Sequence, residues 1–153
     1  MGTYFRMSFR FNKIDAADFG LTELDANTAV DLKDGTIWNK KELYDHGWGK
    51  ELGYYKTPMP DVDTLFDIAL HSGDKEDAYG AAAVISELYP EKLLLNCESI
   101  MDDPAHKKEF RRMAKLFDLK NPINRCCTAL KPLEQVKAEY ERWKHVAEKA
   151  KRV

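Results

Sequence analysis

Apolar positions follow two regimes along this chain. Over the first forty residues they recur every second position, and from Asp61 onward every third or fourth. Phe5, Met7, Phe9 and Phe11 alternate with Arg6, Ser8 and Arg10, which predicts a strand resting its aromatic face on a core. Residues 15–27 (DAADFGLTELDAN) keep no period and predict a loop with one helical turn. Val30 and Leu32 alternate again, Asp34-Gly35 supplies the positive-φ turn of a two-residue hairpin, and Ile37 lies on the return strand. A small N-terminal antiparallel sheet follows from these signals. Asn39 stands three residues before Glu42, the spacing of a capping box, and predicts a short helix from Lys40 to His46 that stops at Gly47.

Residues 47–60 (GWGKELGYYKTPMP) hold three glycines, two prolines and three large aromatics, a mixture that predicts an irregular loop. Loops carried by rigid scaffolds collect binding residues, so Trp48, Tyr54 and Tyr55 are candidates for partner contact. The alternative is that they fold inward and plug the seam between sheet and helices.

From Asp61 the reading is helical. Asp61 caps a first helix with Val62, Leu65, Phe66 and Ala69 inside, and Gly73 ends it. Asp74 caps a second, whose inner face is Ala78, Ala81, Ala82, Ile85 and Leu88. Gly80 in its middle costs about 1 kcal/mol relative to alanine and leaves a smooth surface for a neighbouring helix. Pro90 separates it from a third helix striped by Leu93, Leu94, Cys97, Ile100 and Met101. Asp103-Pro104 opens a fourth, running to about Leu119. Phe110, Met113, Ala114 and Phe117 face inward there, and Lys107, Lys108, Arg111, Arg112 and Lys115 face outward. Pro132 begins a last helix with a seam of Leu133, Val136, Tyr140, Trp143, Ala147 and Ala150.

The run LFDIALHSGDKEDAYGAAAVI, Leu65 to Ile85, resembles the inner turn of a HEAT-type α-hairpin, although no second repeat follows at a period near forty residues. The resemblance implies stacked antiparallel helices and a binding role. The expected fold is therefore α+β and mainly α, in a single domain. It has a small sheet plus short helix over 1–46, an aromatic loop over 47–60, and about five HEAT-like helices over 61–153.

Composition changes the picture in one respect. At 153 residues, 44% hydrophobic and 33% charged, the chain can bury its own core, and no apolar run is long enough to span a bilayer. The N-terminus shows no secretory signal, and Arg6 breaks the myristoylation pattern that Gly2 begins. Three cysteines, Cys97 in a helical stripe and Cys126 and Cys127 side by side, indicate reduced, cytoplasmic usage. Charge, however, is segregated. Residues 1–104 carry 10 Lys and Arg against 20 Asp and Glu, whereas residues 105–153 carry 14 against 6.

Catalytic signatures are sparse. No phosphate-binding glycine loop occurs, the four histidines are scattered, and neither they nor the cysteines keep zinc-ligand spacing, so no metal or cofactor is expected. Cys126 beside Arg125 is the one thiol with an activating neighbour in sequence. The acidic run from Asp15 to Asp34 sums to −5 and offers Asp15, Asp18 and Asp25 as contacts for a basic partner. The basic ridge Lys107–Lys115 lacks interleaved aromatics, and the pI near 6.1 argues against a dedicated nucleic-acid binder. In size, cysteine usage and acidic N-terminal third the chain resembles small bacterial immunity proteins, which neutralise a toxin by covering its basic active site. A non-enzymatic protein-binding role is the expectation. The alternatives are a small enzyme with its site near the aromatic loop, and a nucleic-acid-associated protein using the basic ridge.

Overall fold

A computed structural model describes residues 2–8, 15–44, 50–122 and 131–153, with the backbone alone for 42–44, 50 and 51. The chain forms two compact units, Met1–Ala83 and Val84–Val153.

The first unit is built on a five-stranded antiparallel sheet of order β1-β5-β4-β3-β2. The strands are β1 (Phe5–Met7), β2 (Thr22–Glu23), β3 (Thr28–Asp31), β4 (Thr36–Tyr44) and β5 (Lys50–Lys56). This corrects the expectation of a small hairpin. The segment expected to be a helix from Lys40 to His46 continues β4 as far as Tyr44, and half of the expected aromatic loop is β5, paired to β4 from Trp38↔Lys56 to Tyr44↔Lys50. Gly53, read as a loop signal, has a packing reason. A Cβ there would lie 2.7 Å from the Met7 sulfur and 3.3 Å from the Arg6 carbonyl oxygen, so glycine lets β1 lie close without moving the Met7 side chain. Trp48 and His46 fall outside the described residues, as do Phe9 and Phe11.

The expected β3–β4 hairpin is present with a longer turn. Asp31↔Thr36 is its last pair, and residues 32–35 make the connection with Gly35 at φ 72°. Its phase is inverted relative to the expectation. Ala29 and Asp31 are buried, whereas Val30 is half-buried and Leu32 is 75% exposed. The inward face carries Ala29, Trp38 and Tyr54, covered by Ala16 and Phe19 of a 3-10 turn (Ala16–Phe19) and by Leu21.

β1 is buried on both faces. Phe5 and Met7 are 2% and 4% exposed, and so are the alternate residues expected to face solvent, with Arg6 at 6% and Ser8 at 1%. Helix α2 (Lys75–Leu88) supplies the second cover. Asp74 caps it, accepting the Asp77 N–H at 2.9 Å, and its first turn then grips the N-terminal segment. The buried Asp77 carboxylate accepts backbone N–H groups of Thr3, Tyr4 and Phe5 at 3.0, 2.8 and 2.9 Å. Glu76 accepts those of Gly2 and Met7 at 2.9 and 3.1 Å. Five main-chain donors of a short edge segment thus end on two carboxylates at a helix N-terminus, where negative charge is favoured.

Gly80 serves a strand, not a helix. A Cβ on it would come within 2.2 Å of Phe5 Cγ. The α2 surface that a HEAT hairpin would offer to the next helix is thus taken by β1, which explains the failure of the expected helical stack. Helix α1 (Val62–His71) precedes α2, capped by Asp61 as expected, and buries Leu65, Phe66, Ile68, Ala69 and Leu70.

The second unit contains α3 (Pro90–Ile100), α4 (Lys107–Leu116) and α5 (Leu133–Ala150), which pack on one another. Pro90 opens α3 as expected. A 3-10 turn (Pro104–His106), capped by Asp103, leads into α4. Phe110, Met113, Ala114 and Phe117 are buried as predicted, alongside Leu93, Leu94, Cys97, Trp143, Val146, Ala147 and Ala150. Leu133, assigned to the α5 seam, is 65% exposed. Ion pairs align α3 with α5: Glu91 with Lys131 just before α5 (3.5 Å), Glu98 with Arg142, and Asp102 with Lys149 (2.8 Å). Both partners ascend together in number, so the two helices run parallel with α4 as the return.

Two substitutions test the β1 clamp. Asp77→Ala leaves three N–H donors, that of Phe5 buried and those of Thr3 and Tyr4 partly so, without their acceptor and should cost about 3 kcal/mol in urea denaturation. Gly80→Ala should destabilise despite its gain of about 1 kcal/mol in helix propensity, because the methyl group meets Phe5 and overpacking costs about 1–3 kcal/mol. Adding Phe5→Leu should recover part of that loss, and strict additivity of the pair would refute the contact.

Candidate interaction surface

The acids singled out in the sequence separate into one buried group and several exposed ones. Asp31 is the buried one. Arg6, from β1, donates through Nη2 to Asp31 Oδ2 at 2.6 Å and through Nη1 to the Phe19 carbonyl at 3.0 Å. Its guanidinium lies 4.3 Å from the Trp38 ring centroid. That cation–π contact suits a group whose Nε is buried without a hydrogen-bond partner. The Arg6 hydrogen bond, with a further one from the Lys33 N–H, holds the Asp31 carboxyl below its ordinary value. One arginine therefore joins β1, the 3-10 turn and the β3–β4 hairpin.

The exposed acids are anchored by their own backbone. Asp25 accepts the N–H groups of Asn27 and Thr28 at 2.8 and 2.9 Å, and Asp34 accepts the Thr36 N–H and hydroxyl at 2.9 and 2.6 Å. These bonds lower both carboxyls relative to their ordinary value. Asp18 accepts the Asp15 N–H at 2.9 Å, and both residues are exposed. The hairpin side of the sheet thus presents Asp15, Asp18, Glu23, Asp25 and Asp34 to solvent, with Asp25 and Asp34 at opposite ends of β3.

Tyr54 and Tyr55 do not share a face. As consecutive strand residues they point to opposite sides, Tyr54 into the core cluster edge-on to Phe19 and Tyr55 half-buried on the other side. Burial, with the charges of Glu23 and Asp15, raises the Tyr54 hydroxyl above its ordinary value. In the second unit Lys107, Lys108, Arg111, Arg112 and Lys115 are all exposed along α4, as the sequence indicated.

A groove of about 560 Å³ opens between α3 and α5, walled by Pro90, Leu94, Leu95 and Trp143. Lys131 bridges Glu139 (2.8 Å) and Glu91 at its rim. Nothing in the sequence reading marked this groove, because its polar residues come from segments forty positions apart. Among the described residues no three His, Cys, Asp or Glu side chains gather where a metal ion could bind. His106, at the end of the 3-10 turn, lies 2.9 Å from Glu109 in the first turn of α4, Cys97 is a buried thiol, and Cys126 and Cys127 lie outside the described residues. No described helix is long and apolar enough to cross a membrane.

The Arg6–Asp31 pair predicts a pH dependence. Asp31 titrates below its ordinary 3.8 in the folded chain. Its contribution is therefore complete above about pH 4 and disappears as the pH falls through the depressed folded value. Asp31→Asn should be less stable than the parent at pH 7, and the gap should close on acidification below 3.8. A gap independent of pH in thermal melts would refute the ionic role. No protein family, curated protein or solved structure matches the chain.

Proposed function

We propose that this chain is a non-enzymatic protein-binding protein whose acidic sheet unit captures a basic partner, as an immunity protein captures the basic active site of a toxin. The observation that supports it most is the state of the exposed acids. Asp25 and Asp34 take their hydrogen bonds from their own turns, and so remain charged and outward at neutral pH. The first unit carries nine Lys and Arg against 15 Asp and Glu, a net −6, while the second unit is +4. Such a field steers a cationic surface toward the sheet and raises the association rate.

Co-expression with basic toxin domains encoded beside this chain tests the reading. Protection of the cells and a purified complex are expected. Reversing Asp15, Asp18 and Asp25 to lysine should weaken the complex about 10–100-fold, mostly through the association rate. Absence of protection against every such domain would refute it. A second reading rests on the five exposed cations of α4. If they contact phosphates, Lys107→Ala with Arg111→Ala should lower the salt slope of duplex binding by about two.

A further inference from the structure

The inverted phase of the β3–β4 hairpin leaves an aliphatic stretch of sheet only partly covered, with Val30 half-buried, on the face whose far edge buries Phe5 and Met7. Thr22, Val30 and Ile37 stand on one rung and share one face, opposite to Glu23, Ala29 and Trp38. Ile37 is 39% exposed, Leu32 in the adjoining turn is 75%, and Leu24 just beyond β2 is 56%. An antiparallel sheet that shows one face to water ordinarily alternates apolar-in with polar-out. Here the core side holds a buried Arg6–Asp31 pair and the outer side holds valine, leucine and isoleucine. Exposed apolar groups with charged groups around them mark an interaction site more specifically than either alone.

We infer that the face around Val30, Leu32 and Ile37 docks a cationic amphipathic protein segment, its aliphatic side chains on the sheet and its lysines or arginines on Asp25 and Asp34. The inference rests on the protein-binding reading above and names the contact surface within it. Charge decides the occupant. Asp25 and Asp34 stand in the two turns that bound β3, a strand of four residues spanning about 10 Å. Lys33, Lys40, Lys41 and Lys56 are the nearby cations of these strands and turns, and residues 15–34 still sum to −5. A second copy placed face to face would set acid against acid. A partner carrying cations at both ends of an apolar stripe would meet both turns favourably.

The test uses the full chain and a short amphipathic helix made of leucine and lysine alone as probe, with its glutamate counterpart as control. Titration followed by amide NMR should give shifts confined to residues 22–39, with no response to the glutamate peptide. Leu32→Ser, at a 75% exposed turn position and so expected to keep the melting temperature, and Ile37→Ser, expected to lower it slightly while the fold persists, should each weaken binding at least tenfold. Asp25→Asn with Asp34→Asn, which retains acceptors in both turns, should weaken it and flatten its salt dependence. Binding that ignores the two serine variants would overturn the sheet face while leaving the acidic-capture reading intact. Shifts spread over the acids of α1 and α2 would also overturn it, as would the absence of binding. Concentration-dependent dimerisation in sedimentation, abolished by Ile37→Ser, would assign the face to a second copy and overturn the cationic occupant.

Discussion

The grip of Glu76 and Asp77 on residues 2–7 is the constraint on which the first unit depends. A three-residue strand at a sheet edge has little pairing of its own to hold it. This one is retained because five backbone donors of residues 2–7 end on carboxylates in the first turn of α2, and because Gly80 and Gly53 let helix and sheet close on Phe5 and Met7. Once β1 is covered on that side, its alternate residue Arg6 must enter the opposite core, and a buried guanidinium requires an anion. Asp31 supplies it.

That requirement propagates. With Asp31 drawn inward, the period-two geometry of β3 turns Val30 outward, and the pairing Val30↔Ile37 turns Ile37 with it. The outward aliphatic residues thus follow from a buried ion pair that links β3 to β1 across β4 and β5. A core pair of this kind is weak evidence for added stability, since desolvation offsets most of its attraction. Its consequence here is orientation: it selects which side of the hairpin faces water, and so what a partner can meet.

Local signals were legible wherever they were short-range. The caps at Asp61, Asp74 and Asp103, the break at Pro90, the hairpin at Gly35 and the inner stripe of α4 all stand where the residues indicate. Each is settled by a bond or steric clash within a few residues. The region from Lys40 to Pro60 was not legible. A capping-box spacing and a glycine-rich composition pointed to helix and loop, yet long β4–β5 pairing overrode both, because strand formation is decided by the neighbour across the ladder.

The candidate surface divides in the same way. The acidity of residues 15–34 and the outward cations of α4 are properties of residue type and spacing, and the sequence alone determined them. Only tertiary structure decided that Arg6 and Ser8 lie in a core, that Tyr54 and Tyr55 part company, that Gly80 receives a phenylalanine, and that Val30 and Ile37 turn away from the core that holds Trp38. The physical reason is common to all four. A period of two says that a strand has two faces, but which face is buried depends on what the rest of the chain lays against it.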